Sequence, residues 1–209
     1  MTHSSEYHER LWETIPTGLE PQDFPARLAF LLEHVHAGES VLDVGCGEGR
    51  FTAALADAGT RAVGIDVARE PLRRAHSVRP ELDLRVVAPE EAWELADASF
   101  DAVWAGETIE HVLDTAGWLS EVRRVLRPGG VLLLSTPAHG PLTLLGLALS
   151  RRAFAARFDP RSDHLRFYAR LSLAELLGEF GFAEIAVSSL GRVPGARRTL
   201  LATARRTRW

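Results

Sequence analysis

Short apolar runs and glycine-rich breaks alternate along the chain. VLDVG (41–45) is a β-branched apolar run of the kind buried in a parallel sheet. A glycine loop follows it. The next stretch, RFTAALADAG (50–59), has helical periodicity and closes on Gly59. RAVGID (61–66) reads as a second strand. EPLRRAHSV (70–78) reads as a helix, with Pro71 in its first turn where Pro is favoured. LDLRVVA (82–88) and FDAVWAG (100–106) read as the third and fourth strands. TAGWLSEVRRVL (115–126) reads as a helix that stops before Pro128, and GVLLLSTP (130–137) as the fifth strand. SLAELLGEF (172–180) is a last helix, ended by Gly181. FAEIAVSSL (182–190) and TLLATARR (199–206) are two final strands with no helix between them.

Strands that alternate with helices predict an α/β fold. The expected form is a doubly wound, seven-stranded, mostly parallel sheet with an antiparallel edge strand. The whole chain, 1–209, is read as one domain. Two segments lie outside the repeat. Residues 6–36 are expected to be helical, with Trp12, Leu28, Phe30, Leu31 and Leu32 packing. Residues 138–160 form an insertion after the fifth strand. Active sites of open α/β sheets lie at the carboxyl ends of strands, so this insertion is a candidate lid.

Composition narrows the chemistry. All 24 residues counted as Lys+Arg are Arg, there is no Asn, and Cys46 is the single cysteine. Without Lys the chain forms no Schiff base and lacks a P-loop lysine. One cysteine excludes an internal disulfide and a Cys-based zinc site. The lack of Asn excludes an Asn-Pro-Pro amine-methylating loop. No apolar run is long enough to span a bilayer, and the N-terminal residues do not read as a secretory signal. A cytoplasmic setting is the expected default. The net charge of −4 is uneven. Residues 1–150 carry 12 Arg against 23 acids, and residues 151–209 carry 12 Arg against 5 acids. An anionic partner near the basic end is one reading of this; solvated Arg on edges and helix faces is the other.

The loop Asp43-Val44-Gly45-Cys46-Gly47-Glu48-Gly49 joins the first strand to a helix. Its glycines permit a tight turn and close approach of a ligand. Asp66 ends the second strand, where a carboxylate can accept both ribose hydroxyls. A nicotinamide oxidoreductase shares that logic, but its glycines are usually spaced G-x-G-x-x-G around a pyrophosphate. Here Asp43 and Glu48 would repel a pyrophosphate. They suit a cofactor carrying a sulfonium and an ammonium.

VLDVGCGEGRFT, GIDVA, SFDAV and LRPGGVLLLSTP together resemble the successive motifs of class I S-adenosylmethionine-dependent methyltransferases. The resemblance runs over about residues 38–190 and implies their Rossmann-like fold. It implies that Gly45, Gly47 and Gly49 line the methionine part of S-adenosylmethionine, with Cys46 a small residue of the same loop. It implies that Asp43 anchors the loop and faces the amino group. Asp66 would hold the ribose, Val67 would pack on the adenine, and Ala105 and Gly106 would lie near the sulfonium. Where the family often has Gly-Asp after the third strand, this chain has Ala88-Pro89-Glu90. Glu90 is then the candidate for the adenine contact.

Glu107, Glu110 and His111 follow the fourth strand in GETIEHV. On a helix or turn these positions share one face. Two carboxylates and an imidazole can ligate a divalent cation, Mg²⁺ or Mn²⁺ by preference, with Zn²⁺ or Fe²⁺ as alternatives. His164 in DHLRFY is the candidate fourth ligand. The E-x-x-E-H pattern with a later His resembles ubiquinone-pathway O-methyltransferases and small-RNA 3′-terminal 2′-O-methyltransferases. Both imply an acceptor with two adjacent hydroxyls. A metal-free reading also stands, in which Glu110 caps a helix and His111 orients the acceptor or takes its proton. His139 is either a pocket or a loop surface residue. His8 is read as structural or exposed, and Trp12 either as closing over the site or as plain packing.

The expected activity is methyl transfer to a small-molecule hydroxyl. The apolar-then-basic insertion tilts the acceptor toward a lipophilic or catechol-like molecule and suits peripheral membrane contact. RNA, methylated at its 3′ end, is an alternative acceptor suggested by the basic C-terminal third. A nicotinamide-dependent oxidoreductase is the alternative from another class.

Overall fold

The computed structural model describes residues 3–89, 91–159, 162–190 and 199–208. Seven strands form one sheet: β1 (Ser40–Val44), β2 (Arg61–Asp66), β3 (Asp83–Val86), β4 (Phe100–Gly106), β5 (Leu126–Pro137), β6 (Phe182–Ser189) and β7 (Thr199–Arg206). Their order is β3-β2-β1-β4-β5-β7-β6. β1 to β5 pair in parallel, and β7 runs antiparallel to both β5 and β6. The expected antiparallel pair therefore closes one side of the sheet, with β7 second from the edge and β6 outermost.

Burial explains why β1, β4 and β5 have no polar face. Successive residues alternate between two cores. Leu42, Val103, Leu132 and Leu134 point to one core, shared with Leu119 and Val122 of α5 (Thr115–Val125) and Leu173 and Leu177 of α8 (Arg170–Glu179). Val41, Ala102, Trp104 and Leu133 point to the other, shared with Leu31 of α2 (Phe24–Glu33) and Phe51 and Leu55 of α3 (Arg50–Asp57). β5 starts earlier than its apolar run, at Leu126, which pairs with Phe100. A register shift between Phe100 and Ala102 absorbs the Arg127–Gly130 stretch, so the Pro and Gly residues bulge without ending the strand.

Strand order reverses between β1 and β4. The crevice between their carboxyl ends is the topological switch point, where open sheets bind ligands. The N-terminal segment forms two helices rather than one. α1 (His3–Thr14) lies over α4 (Arg69–Val78), and α2 packs under β4. Polar bonds fix α1. Glu9 accepts from the N–H groups of Arg69 and Glu70 at 2.7 and 3.0 Å, capping α4. Arg74 donates to the carbonyls of Trp12 and Ile15 at 2.9 and 2.8 Å. The insertion after β5 folds as α6 (Pro141–Ala148) and α7 (Arg151–Arg157), and no described residue of either helix is fully buried.

Leu133 is fully buried and Leu149 is 83% exposed. Leu133→Ala is expected to cost about 3 kcal/mol in urea unfolding, and Leu149→Ala less than about 0.5 kcal/mol.

Candidate active site

A cavity of about 280 Å³ opens at the switch point. Gly45, Asp66, Val67 and Glu107 line it from the strand ends, and His8, Leu11, Trp12 and Ile15 line it from α1 and the residue that follows. Those four N-terminal positions recur at helical spacing on one face, and that periodicity was the signal for a helix lying over the site.

The glycine loop is held from behind. The N–H groups of Gly45 and Cys46 donate to the carbonyl of Ile65 at 2.8 and 3.0 Å. The Gly47 N–H donates to Asp66 at 2.9 Å, and the Ala68 N–H donates to the other carboxylate oxygen, also at 2.9 Å. Each oxygen keeps a lone pair for a ligand hydroxyl. Gly45 has φ 71°, and a Cβ there would lie 2.6 Å from Thr108 Oγ1. Thr108 in turn donates to the carbonyl of Val44 at 3.0 Å, tying the loop after β4 to the end of β1. Asp43 lies behind the loop, 1% exposed, where it accepts from Thr52 at 2.6 Å. Burial pushes its carboxyl up to about 7.

The loop after β4 departs from a single helical face. Glu107 has a left-handed backbone, φ 56°, and the short turn that follows is a 3₁₀ helix over Ile109–His111. Glu107 therefore departs from the helical spacing that would put it on one face with Glu110 and His111. Among the described residues, Glu110, His111 and His164 offer ligand atoms that all lie within 4.8 Å of one another, and Glu107 is not in that group. Glu110 is 1% exposed and accepts from Thr136 at 3.0 Å, while its Oε1 is buried with no partner. Burial, and then the neighbouring Glu107, push its carboxyl up to about 7. Glu107 Oε1 is also buried and unpartnered. Burial raises the Glu107 carboxyl above the ordinary range, and Arg27 opposes that rise. Arg27, 2% exposed, packs its guanidinium over the rings of Phe51 and Trp104.

His164 reaches the cluster because its segment is laced to the turn. The N–H groups of Leu165 and Arg166 both donate to the carbonyl of Glu110, at 2.8 and 3.2 Å. The rings of His111 and His164 meet edge to face at 4.8 Å. Asp163 sits against the other side of His111, 3.2 Å from Nδ1.

The comparisons with known proteins agree with this geometry. A family model described as a methyltransferase domain matches residues 13–187. The chain belongs to the class I S-adenosylmethionine-dependent methyltransferases. A ubiquinone biosynthesis O-methyltransferase of Idiomarina loihiensis is 30% identical over 173 residues, 79% of this chain and 71% of that protein. One from Xanthomonas oryzae pv. oryzae is 36% identical over 67% of this chain, which spans only 60% of that relative. Among solved structures, phosphoethanolamine N-methyltransferase 2 of Haemonchus contortus, in complex with S-adenosyl-L-methionine, superposes with a TM-score of 0.72. It is 18% identical, and the match covers 98% of this chain and 57% of that one. A likeness at that identity concerns the fold.

In this methyltransferase, three of the expected cofactor residues, Gly45, Asp66 and Val67, line the cavity. Asp43, Cys46, Gly47, Gly49, Ala105 and Gly106 are not on its wall. They shape the loop and the end of β4 from behind. Trp12 accounts for Gly47, since its ring lies 2.9 Å from where a Cβ would be. Glu90 lies outside the described residues. Trp12 lines the cavity, and His8, Trp93, Trp118 and Asp163 line it without having been singled out for it. His139 is buried, not a surface residue. Its ring bonds the carbonyl of Pro137 and accepts from Arg157, both at 3.1 Å, and burial pushes its pKa down to about 4.

Two outcomes follow. Gly45→Ala is expected to abolish the stabilisation that S-adenosylhomocysteine gives in a thermal melt, because the added methyl meets Thr108. The unliganded enzyme is expected to lose stability as pH rises through about 7. Asp43 and Glu110 have folded-state values raised above their ordinary 3.8 and 4.5. Their contribution is complete below those ordinary values and is lost as both ionise in the fold. Melting temperatures from about pH 4.5 to about pH 8 measure this; the fall should be nearly complete just above about pH 7 and should shrink in D43N.

Proposed function

We propose that the enzyme methylates a hydroxyl of a small, partly apolar acceptor, with a divalent cation held by Glu110, His111 and His164. The observation that carries this is the convergence of those three side chains beside the cavity, with Glu110 Oε1 buried and unpartnered. A buried carboxylate oxygen without a donor is costly unless a cation or proton meets it. The cavity fits the cofactor in the same sense, since Asp66 and Glu107 place negative charge on its wall.

S-adenosylmethionine supplies an electrophilic methyl group, and a bound cation would lower the pKa of a hydroxyl and orient its oxygen. The protein's own residues do the rest. Asp66 would accept from the ribose hydroxyls, and Val67 would pack on the adenine, both from the cavity wall. Leu11, Trp12 and Ile15 exclude water from above. The Glu107 carboxylate, on the cavity wall, would take the hydroxyl proton. The acceptor oxygen would bond to the methyl carbon as the carbon–sulfur bond breaks, leaving S-adenosylhomocysteine.

A second reading uses the same residues without a cation. His111 Nε2 becomes the base, and the contact of its Nδ1 with Asp163 favours this. The apolar surface of α6 and α7 supports a lipophilic acceptor or a membrane-bound one: Leu145, Leu149 and Phe154 are exposed beside Arg151 and Arg152. No described helix is long and apolar enough to cross a membrane. An RNA acceptor is less well supported, since Arg205 of the basic region pairs with Glu184 on the neighbouring strand.

Methyl incorporation into a catechol, with short RNA as the comparison, tests the acceptor. Chelation followed by return of Mg²⁺, Mn²⁺ or Zn²⁺ tests the cation. Activity should be lost and restored; activity that survives chelation selects His111 as base. In either case His111→Ala should lower kcat by about 10²- to 10⁴-fold, and His139→Ala by less than about tenfold.

A further inference from the structure

Asp163 lines the cavity and touches His111, the residue common to both readings of the chemistry. His111 Nδ1 lies 3.2 Å from the Asp163 carboxylate Oδ2 and 3.1 Å from its main-chain carbonyl. Two acceptors on one ring nitrogen require that nitrogen to carry the hydrogen. In the neutral ring the other nitrogen, Nε2, then keeps its lone pair. It lies 3.9 Å from the unpartnered Glu110 Oε1, and the His164 ring stands edge-on beside the imidazole.

We propose that Asp163 is a positioning residue, which fixes His111 as the Nδ1–H tautomer and aims Nε2 at the space shared with Glu110 and His164. This rests on the reading of His111 as a reacting-site residue, and holds whether Nε2 meets a cation or a proton.

The backbone supports the assignment. The Glu110 carbonyl takes the N–H groups of Leu165 and Arg166. Arg166 also donates to Thr115 Oγ1 and to the carbonyl of Leu113, both at 2.8 Å. The segment that carries Asp163 and His164 is therefore sewn to the turn that carries Glu110 and His111. Displacing one displaces the other. A carboxylate behind a ligating or proton-accepting imidazole has a physical purpose: without it, the ring can flip or exchange tautomers, and half the orientations offer an N–H where a lone pair is needed.

The test compares Asp163→Ala, which removes the side-chain acceptor, with Asp163→Asn, which keeps an acceptor oxygen. Long-range ¹H–¹⁵N spectra of the enzyme with S-adenosylhomocysteine report the tautomer at about pH 8.5, where imidazole is neutral. The His111 signals are assigned by their loss in His111→Gln. Wild type and D163N should show Nδ1–H, and D163A should populate Nε2–H. Mn²⁺ affinity, read by electron paramagnetic resonance, should weaken about 10-fold or more in D163A and recover in D163N. kcat should fall with the KM for S-adenosylmethionine unchanged. A D163A enzyme with Nδ1–H intact and Mn²⁺ affinity within about twofold of wild type overturns the proposal. If wild type binds no Mn²⁺, the cation reading fails, and the tautomer and kcat still decide the role of Asp163.

Discussion

Buried negative charge at the strand ends is the constraint on which the rest of the structure depends. Asp43, Asp66 and Glu110 are almost inaccessible to water, and Glu107 has one sealed oxygen. Arg27, equally buried, faces this group and opposes the rise in the Asp43 and Glu107 carboxyls. Such a group is tolerated only if each carboxylate is hydrogen-bonded, protonated or matched by a cation. Asp43 and Asp66 take the first route, bonding Thr52 and two backbone N–H groups. Glu107 and Glu110 retain unpartnered oxygens on or beside the cavity. A cofactor with a sulfonium and an ammonium is the natural complement to such a wall.

The same constraint shapes the scaffold around the site. Two hydrophobic cores clamp β1, β4 and β5 between helices, so the strand ends are rigid. The glycine loop and the turn after β4 are then joined by Thr108. The part that covers the cavity is attached differently, since α1 is fixed by the hydrogen bonds of Glu9 and Arg74. A cover held by such bonds exchanges more easily than elements held by a core.

The fold was legible in the sequence because it rests on local signals. Apolar runs, glycine breaks and Pro71 gave the order of strands and helices, and the motifs gave the family. The glycine loop and Asp66 were legible for the same reason. Glu107 does not share the Glu110 group at ligand distance, because helical spacing presumes helical dihedrals and its φ is positive. Asp163, next to His164 in DHLRFY, and His8 were not singled out, because they come to His111 only when distant segments fold together. The basic C-terminal third left two readings open, an anionic partner and solvated Arg. Arg151, Arg152, Arg166, Arg170, Arg205 and Arg208 are exposed, while Arg206 donates to the carbonyls of Arg124 and Leu126.

What the sequence determined by itself is therefore the layered α/β architecture, the cofactor loop and the exclusion of lysine, disulfide and cysteine–zinc chemistry. These depend on periodicity, on backbone freedom at glycine and on which functional groups exist at all. The tertiary structure alone decided which of the acids and histidines share a space. Ligand and proton chemistry depends on distances of a few ångströms between residues some fifty positions apart, such as His111 and His164. Those distances are set by packing and by the hydrogen bonds of main-chain groups, whose donors and acceptors are alike in every residue and leave no trace in side-chain identity.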